Sequence, residues 1–121
     1  MKGRILPCNP EAEYFFEEGC HIIELSNQVV DPAVSIARAR VEPGVTTRWH
    51  RLHGIIERYV ILQGQGLAEV GELRGRAVQP GDVVIIPPLS PQRITNTGEG
   101  DLIFLAICTP RFTPDCYEDL D

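Results

Sequence analysis

No stretch of these 121 residues approaches the roughly 18 consecutive apolar residues that cross a membrane as a helix. The opening Met-Lys-Gly-Arg-Ile-Leu-Pro has no apolar run before its first proline, so neither a leader nor a transit peptide is expected. A soluble, cytoplasmic protein is the resulting expectation. The four cysteines, Cys8, Cys20, Cys108 and Cys116, lack the C-x-x-C spacing of a zinc or redox pair. They also lack the density of a secreted disulfide scaffold and read as free thiols. Gly64-Gln65-Gly66 lacks the third glycine and following helix of a dinucleotide site and reads as a hairpin turn. Internal repeats, low-complexity tracts and a 3.6-residue apolar period are absent as well. Positive charge is scarce overall, with a net charge of −6, but the acids gather toward both ends and the segment from Arg38 to Arg111 is slightly basic. Nucleic acid and anionic membrane are therefore not expected as partners of the whole chain, whereas a small anionic ligand is compatible.

What is present fits one domain with one core. The chain divides into an arm and first strand over 1–33, a barrel over 34–108 and a tail over 109–121. Residues 1–10 carry Pro7 and Pro10 without periodicity, and 11–18 is an acidic segment that reads as one helical turn or the edge of a strand. Cys20 to Leu25 is apolar and β-branched. Val34 to Val41 alternates strictly, with Arg38 and Arg40 on one face and Ser35, Ala37 and Ala39 on the other. Those arginines face solvent or clamp an anion at a barrel mouth. Beyond Glu42-Pro43-Gly44, short apolar runs recur every 8 to 12 residues or so with glycine and proline between them, which predicts an all-β antiparallel barrel or sandwich.

Two punctuated segments carry the chemistry. The first places Gly44, His50, His53, Glu57 and Gly64 at close intervals. The second holds Pro80-Gly81-Asp82, Pro87, Pro91, Gln92 and Asn96. Histidines and a carboxylate brought together by a hairpin suit a divalent cation with open coordination positions.

These residues resemble the paired motifs of the cupins, small double-stranded β-helix or jelly-roll barrels of the conserved-barrel type, over Val34 to Cys108. The resemblance implies a metal in the barrel held by two histidines and a glutamate from the first motif and a third histidine from the second. Carried over, it gives His50 and Glu57. Leu52 stands where the family's second histidine is usual, and His53, of opposite strand parity, reaches the metal only through a bulge at 51–54. Gln92 stands at the third histidine and offers a neutral amide oxygen. The expected metal set is thus His50, Glu57, Gln92 and His53, around Mn, Fe, Ni or Zn. With no metal in the pocket, Gln92 hydrogen-bonds His50 or a ligand.

Arg48, Tyr59, Arg38 and Asn96 are the expected substrate contacts, and Trp49 is expected outside the barrel. The catalytic group is not identifiable from sequence. Three functions remain open: dioxygenase-like chemistry on a small polar or anionic metabolite, which is favoured, sugar isomerase- or epimerase-like chemistry, and binding of a small molecule without turnover. A homodimer formed through the outer sheets is expected.

Overall fold

The alternation read from the sequence becomes two antiparallel sheets. The computed structural model describes residues 1–121. The strands are β1 (Tyr14–Phe16), β2 (Cys20–Ser26), β3 (Ser35–Val41), β4 (His50–Leu52), β5 (Ile56–Gln63) and β6 (Gly66–Val70). They continue with β7 (Leu73–Val78), β8 (Val83–Ile86), β9 (Gln92–Asn96), β10 (Leu102–Thr109) and β11 (Tyr117–Asp119), with 3-10 turns at Pro10–Ala12 and Pro114–Cys116. One sheet runs β1-β2-β3-β10-β5-β8 and the other β11-β4-β9-β6-β7. This is the all-β jelly-roll barrel expected from the sequence. The acidic segment 11–18 contains both a helical turn and an edge strand, and the tail contributes β11 to the second sheet.

Strand parity decides which side chains face inward. Glu57, Tyr59 and Ile61 on β5 are buried, as are Gln92, Ile94 and Asn96 on β9. The main core joins residues of both sheets, among them Val41, Ile61, Val70, Ile86, Ile94 and Phe104. A second cluster, Leu52, Ile55, Cys108 and Cys116, lies under the tail with Phe112 and Tyr117 packed against it. The inner face is mostly apolar, so each polar group on it has to be explained by its partners.

Tight turns set the register of this barrel. Gly64 has a φ of +88°, and a Cβ there would lie 2.6 Å from the Asp101 carbonyl oxygen. Both the backbone conformation and the space demand glycine. Gly64→Ala is expected to destabilise the fold by about 3 kcal/mol. A urea unfolding curve checks this, and an unchanged midpoint would show that the β5–β6 hairpin relaxes freely.

Candidate active site

His50 enters the barrel from β4, directly opposite Gln92 on β9. Its Nδ1 lies 2.8 Å from the Arg48 carbonyl oxygen, to which it donates, and its Nε2 lies 3.1 Å from Glu18 Oε1. Tyr117 from β11 stacks on the imidazole, with ring centroids 5.2 Å apart and planes 22° apart. The ring is thus gripped on both nitrogens and one face.

Glu18 had no motif to reveal it. It precedes Gly19 in the turn between β1 and β2, and its carbonyl accepts the Arg48 amide at 2.8 Å, which brings that turn against the strand carrying His50. Its second oxygen accepts from the Cys20 thiol at 3.4 Å. A carboxylate two residues before a strand and next to a glycine is too common a pattern to single out in sequence.

Glu57 is buried on β5 with one oxygen, Oε2, 3.7 Å from the Cys108 thiol, while Oε1 is buried with no partner. Burial first, then the charge of Glu18, push its carboxyl up to about 7, against the opposing effects of His50, Gln92 and Cys108. Tyr59, two residues on, donates to Gln92 Oε1 at 2.6 Å, and burial holds its phenol well above the usual range. Gln92 Nε2 has no partner. A carboxylate oxygen and an amide donor thus lie within the barrel without a hydrogen bond of ordinary length, and the amide bears on the carboxyl, holding its pKa down. Burial likewise pushes the Cys108 and Cys20 thiols far up, so neither is a nucleophile at neutral pH.

A cavity of about 70 Å³ opens on the inner face of the six-stranded sheet, and Glu57, Glu18 and Tyr59 line it. Ala37, Ala39, Phe104 and Phe16 make its apolar wall.

Several expected site residues lie elsewhere. His53 is exposed and its Nε2 pairs with Glu118 at 2.6 Å, because Gly54 at φ +70° turns the chain outward instead of bulging His53 into the barrel. Arg48 is on the surface, bound to Asp119 at 3.0 Å and to the Asp121 carbonyl at 3.2 Å. Arg38 sits on the face of β3 opposite to the Ser35, Ala37 and Ala39 face that lines the cavity. Asn96 is buried but fully used: its amide nitrogen donates to the Val41 and Gly100 carbonyls, each at 2.8 Å, and its oxygen accepts the Gly98 amide. It is a staple for the β9–β10 turn and not a substrate contact. Trp49 lies under the Arg93 guanidinium, 4.2 Å from its ring centroid.

No three histidine, cysteine, aspartate or glutamate side chains converge closely enough to hold a divalent ion. The Gln92 oxygen that would ligate already accepts from Tyr59, and its unpartnered atom is an N–H donor, which repels a cation. Leu52, at the missing histidine, is packed in the second apolar cluster. The residues as arranged do not fit a resident metal.

Residues 37–108 match the family described as Cupin domain. An uncharacterized protein of Methanocaldococcus jannaschii is 32% identical over 110 residues, covering 89% of this chain and 87% of its own. The glucose-6-phosphate isomerase of Pyrococcus abyssi is 40% identical over 63 residues, 49% of this chain and 33% of its own, so this chain spans about a third of that relative's length. Among solved structures, Streptomyces PAC13 with uridine superposes with a TM-score of 0.77 at 18% identity, covering 99% of this chain and 92% of that one. That structure has the same fold.

Proposed function

The chain belongs to the cupin domain family, and on that premise we propose that it is a small acid–base enzyme whose barrel pocket moves a proton on a small polar molecule. The observation that carries this reading is Glu57: a buried carboxyl pushed up to about 7, with one oxygen unpartnered, lining a cavity with apolar walls. A general acid or base is most effective when it titrates near the working pH. Glu18 supports the assignment, since its charge in the same pocket raises the Glu57 carboxyl. Glu57 in its anionic form takes a proton from the substrate and in its neutral form returns it. Tyr59 donates to the Gln92 oxygen and so fixes the amide that bears on the Glu57 carboxyl. His50, held by Glu18 and the Arg48 carbonyl, keeps Glu18 in place beside that centre.

Isomerase-like or dehydratase-like proton transfer thus takes precedence over the dioxygenase-like chemistry favoured from sequence. The names of two similar proteins, a glucose-6-phosphate isomerase and a nucleoside dehydratase, point to reactions of these two kinds. The test is incubation with neutral and amino-bearing sugars and nucleosides in D₂O, followed by NMR. Deuterium entry or product formation is expected with wild type and at least about 100-fold less with Glu57→Gln. Equal rates in the two proteins would overturn the assignment. Elemental analysis tests the competing reading: near-stoichiometric Mn, Fe, Ni or Zn that disappears in both Glu57→Ala and Gln92→Ala would restore the metal centre of His50, Glu57 and Gln92.

A homodimer is part of the proposal. The outer face of β8 and β5 exposes Val83 (56%), Ile85 (64%) and Leu62 (48%), with Val83 beside the half-buried Val60, on a sheet whose edge strand is β8. Adjacent exposed β-branched and aliphatic residues on paired strands mark an interaction surface. Ile85→Arg is expected to shift a dimeric wild type to monomer in sedimentation. An unchanged mass would place the contact elsewhere.

A further inference from the structure

The charge of the cavity's lining bears on what it admits. Three acids, Glu18, Glu24 and Glu57, line it, and no lysine, arginine or histidine does. The arginines nearest the barrel are committed outside it: Arg40 to Glu13 and Asp101, Arg51 to Glu118, and Arg93 to Glu69. The remaining wall is apolar and aromatic, with Phe16, Phe104 and Phe112 among its members.

An anion entering this space would meet three carboxylates, and the one basic side chain beside them, His50, is already taken by Glu18. A sugar phosphate or a carboxylic acid is therefore a poor occupant. Glu57 Oε1, buried and without a partner, needs an N–H or O–H donor, and a charged donor makes the stronger hydrogen bond to a carboxylate. Aromatic faces beside carboxylates are the surroundings in which an organic cation is held without water.

We propose that this pocket takes a small organic cation, an ammonium or amidinium group on a short apolar body, with an N–H on Glu57 Oε1 and the body against the aromatic wall. This rests on reading the Glu57 cavity as the functional site and names the substrate class for it. It also narrows the polar or anionic metabolite expected from the sequence, since none of Arg38, Arg40 and Arg48 lines the cavity.

The test is a matched series of n-butylammonium, n-butanol and n-butyrate at pH 8, titrated into the wild-type protein and followed by NMR shift changes. Butylammonium is expected to bind at least about tenfold more tightly than butanol, with butyrate weaker than either. Glu57→Gln, checked for folding by its melting curve, is expected to lose the preference for the ammonium over butanol. Butyrate binding as well as butylammonium, or no shift with butylammonium up to about 100 mM, well above millimolar affinity, would overturn the proposal. Wild type alone decides these outcomes, so an unstable variant does not blur them. The series reads binding only. Ammonium preference without proton exchange would remove the catalytic reading and leave this one, and exchange without ammonium preference would do the reverse.

Discussion

Glu57→Gln is expected to melt roughly 10 °C above the wild type at pH 8 and at the same temperature at pH 4. In the unfolded chain the Glu57 carboxyl titrates near its ordinary value of 4.5, and in the folded protein burial and the charge of Glu18 raise it to about 7. Between these values the folded state binds more protons than the unfolded state, so stability falls as pH rises. Below 4.5 both states are protonated and the residue costs nothing. Above about 7 both are ionised and the full difference is present, about 3 kcal/mol against folding. Glutamine keeps the shape and cannot ionise, so it removes that cost at high pH and changes little at low pH. Its amide oxygen can accept from the Gln92 amide, which has no other partner, while its own N–H groups face the Cys108 sulfur and the cavity. The same substitution is expected to abolish proton transfer. A variant that is more stable and inactive is the signature of a group kept for function at the expense of the fold. Thermal unfolding of both proteins from pH 4 to pH 8 is the measurement. Parallel curves for the two would mean that Glu57 titrates normally and would remove it as the proton carrier.

The scaffold of this site was legible in the sequence because it rests on period-two alternation and turn chemistry. Glu57 and Tyr59 share parity, Gln92 and Asn96 share parity, and the structure places all four side chains inside. Parity alone does not say which face of a strand is inward, and for β3 that depends on packing between the sheets. Ala37 and Ala39 face the cavity and Arg38 faces away, so the pair of arginines that suggested an anionic ligand belongs to the outside. His53 depended on a choice between a bulge and a turn, and Gly54 at positive φ turns the chain. Glu18 was out of reach for a different reason. It meets His50 through the pairing of the β1–β2 turn with Arg48, a contact between residues 30 apart in sequence that no local pattern encodes.

Tyr117→Ala is expected to cost about 3 kcal/mol, whereas Tyr117→Phe is expected to be neutral or slightly stabilising. Two kinds of contact hold β11 against β4, and their magnitudes decide which one matters. The charged contacts are many: Arg48 with Asp119, Arg51 with Glu118 at 2.8 Å, His53 with Glu118, and the Trp49 amide with Asp121 at 2.8 Å. They are also exposed, with Arg48 and Asp119 side chains 44% and 43% accessible, so solvent and salt screen them. Tyr117 instead stacks on His50, meets Phe16 edge-on at 5.2 Å and packs against the cluster of Leu52, Ile55, Cys108 and Cys116. Truncating it opens that cluster and frees one face of His50. Its hydroxyl contributes nothing to this, because the oxygen is buried without a partner and removing it relieves an unsatisfied polar group. Urea unfolding of Tyr117→Ala, Tyr117→Phe and Glu118→Gln separates the two accounts. The expected order has Tyr117→Ala far below the other two, with Glu118→Gln close to wild type. A larger loss in Glu118→Gln than in Tyr117→Ala would show that charge, not aromatic packing, fastens the strand that covers His50. The position of the His50 ring protons in the NMR spectrum adds a second reading: loss of the stacked ring in Tyr117→Ala removes its ring-current shift, and Tyr117→Phe retains it.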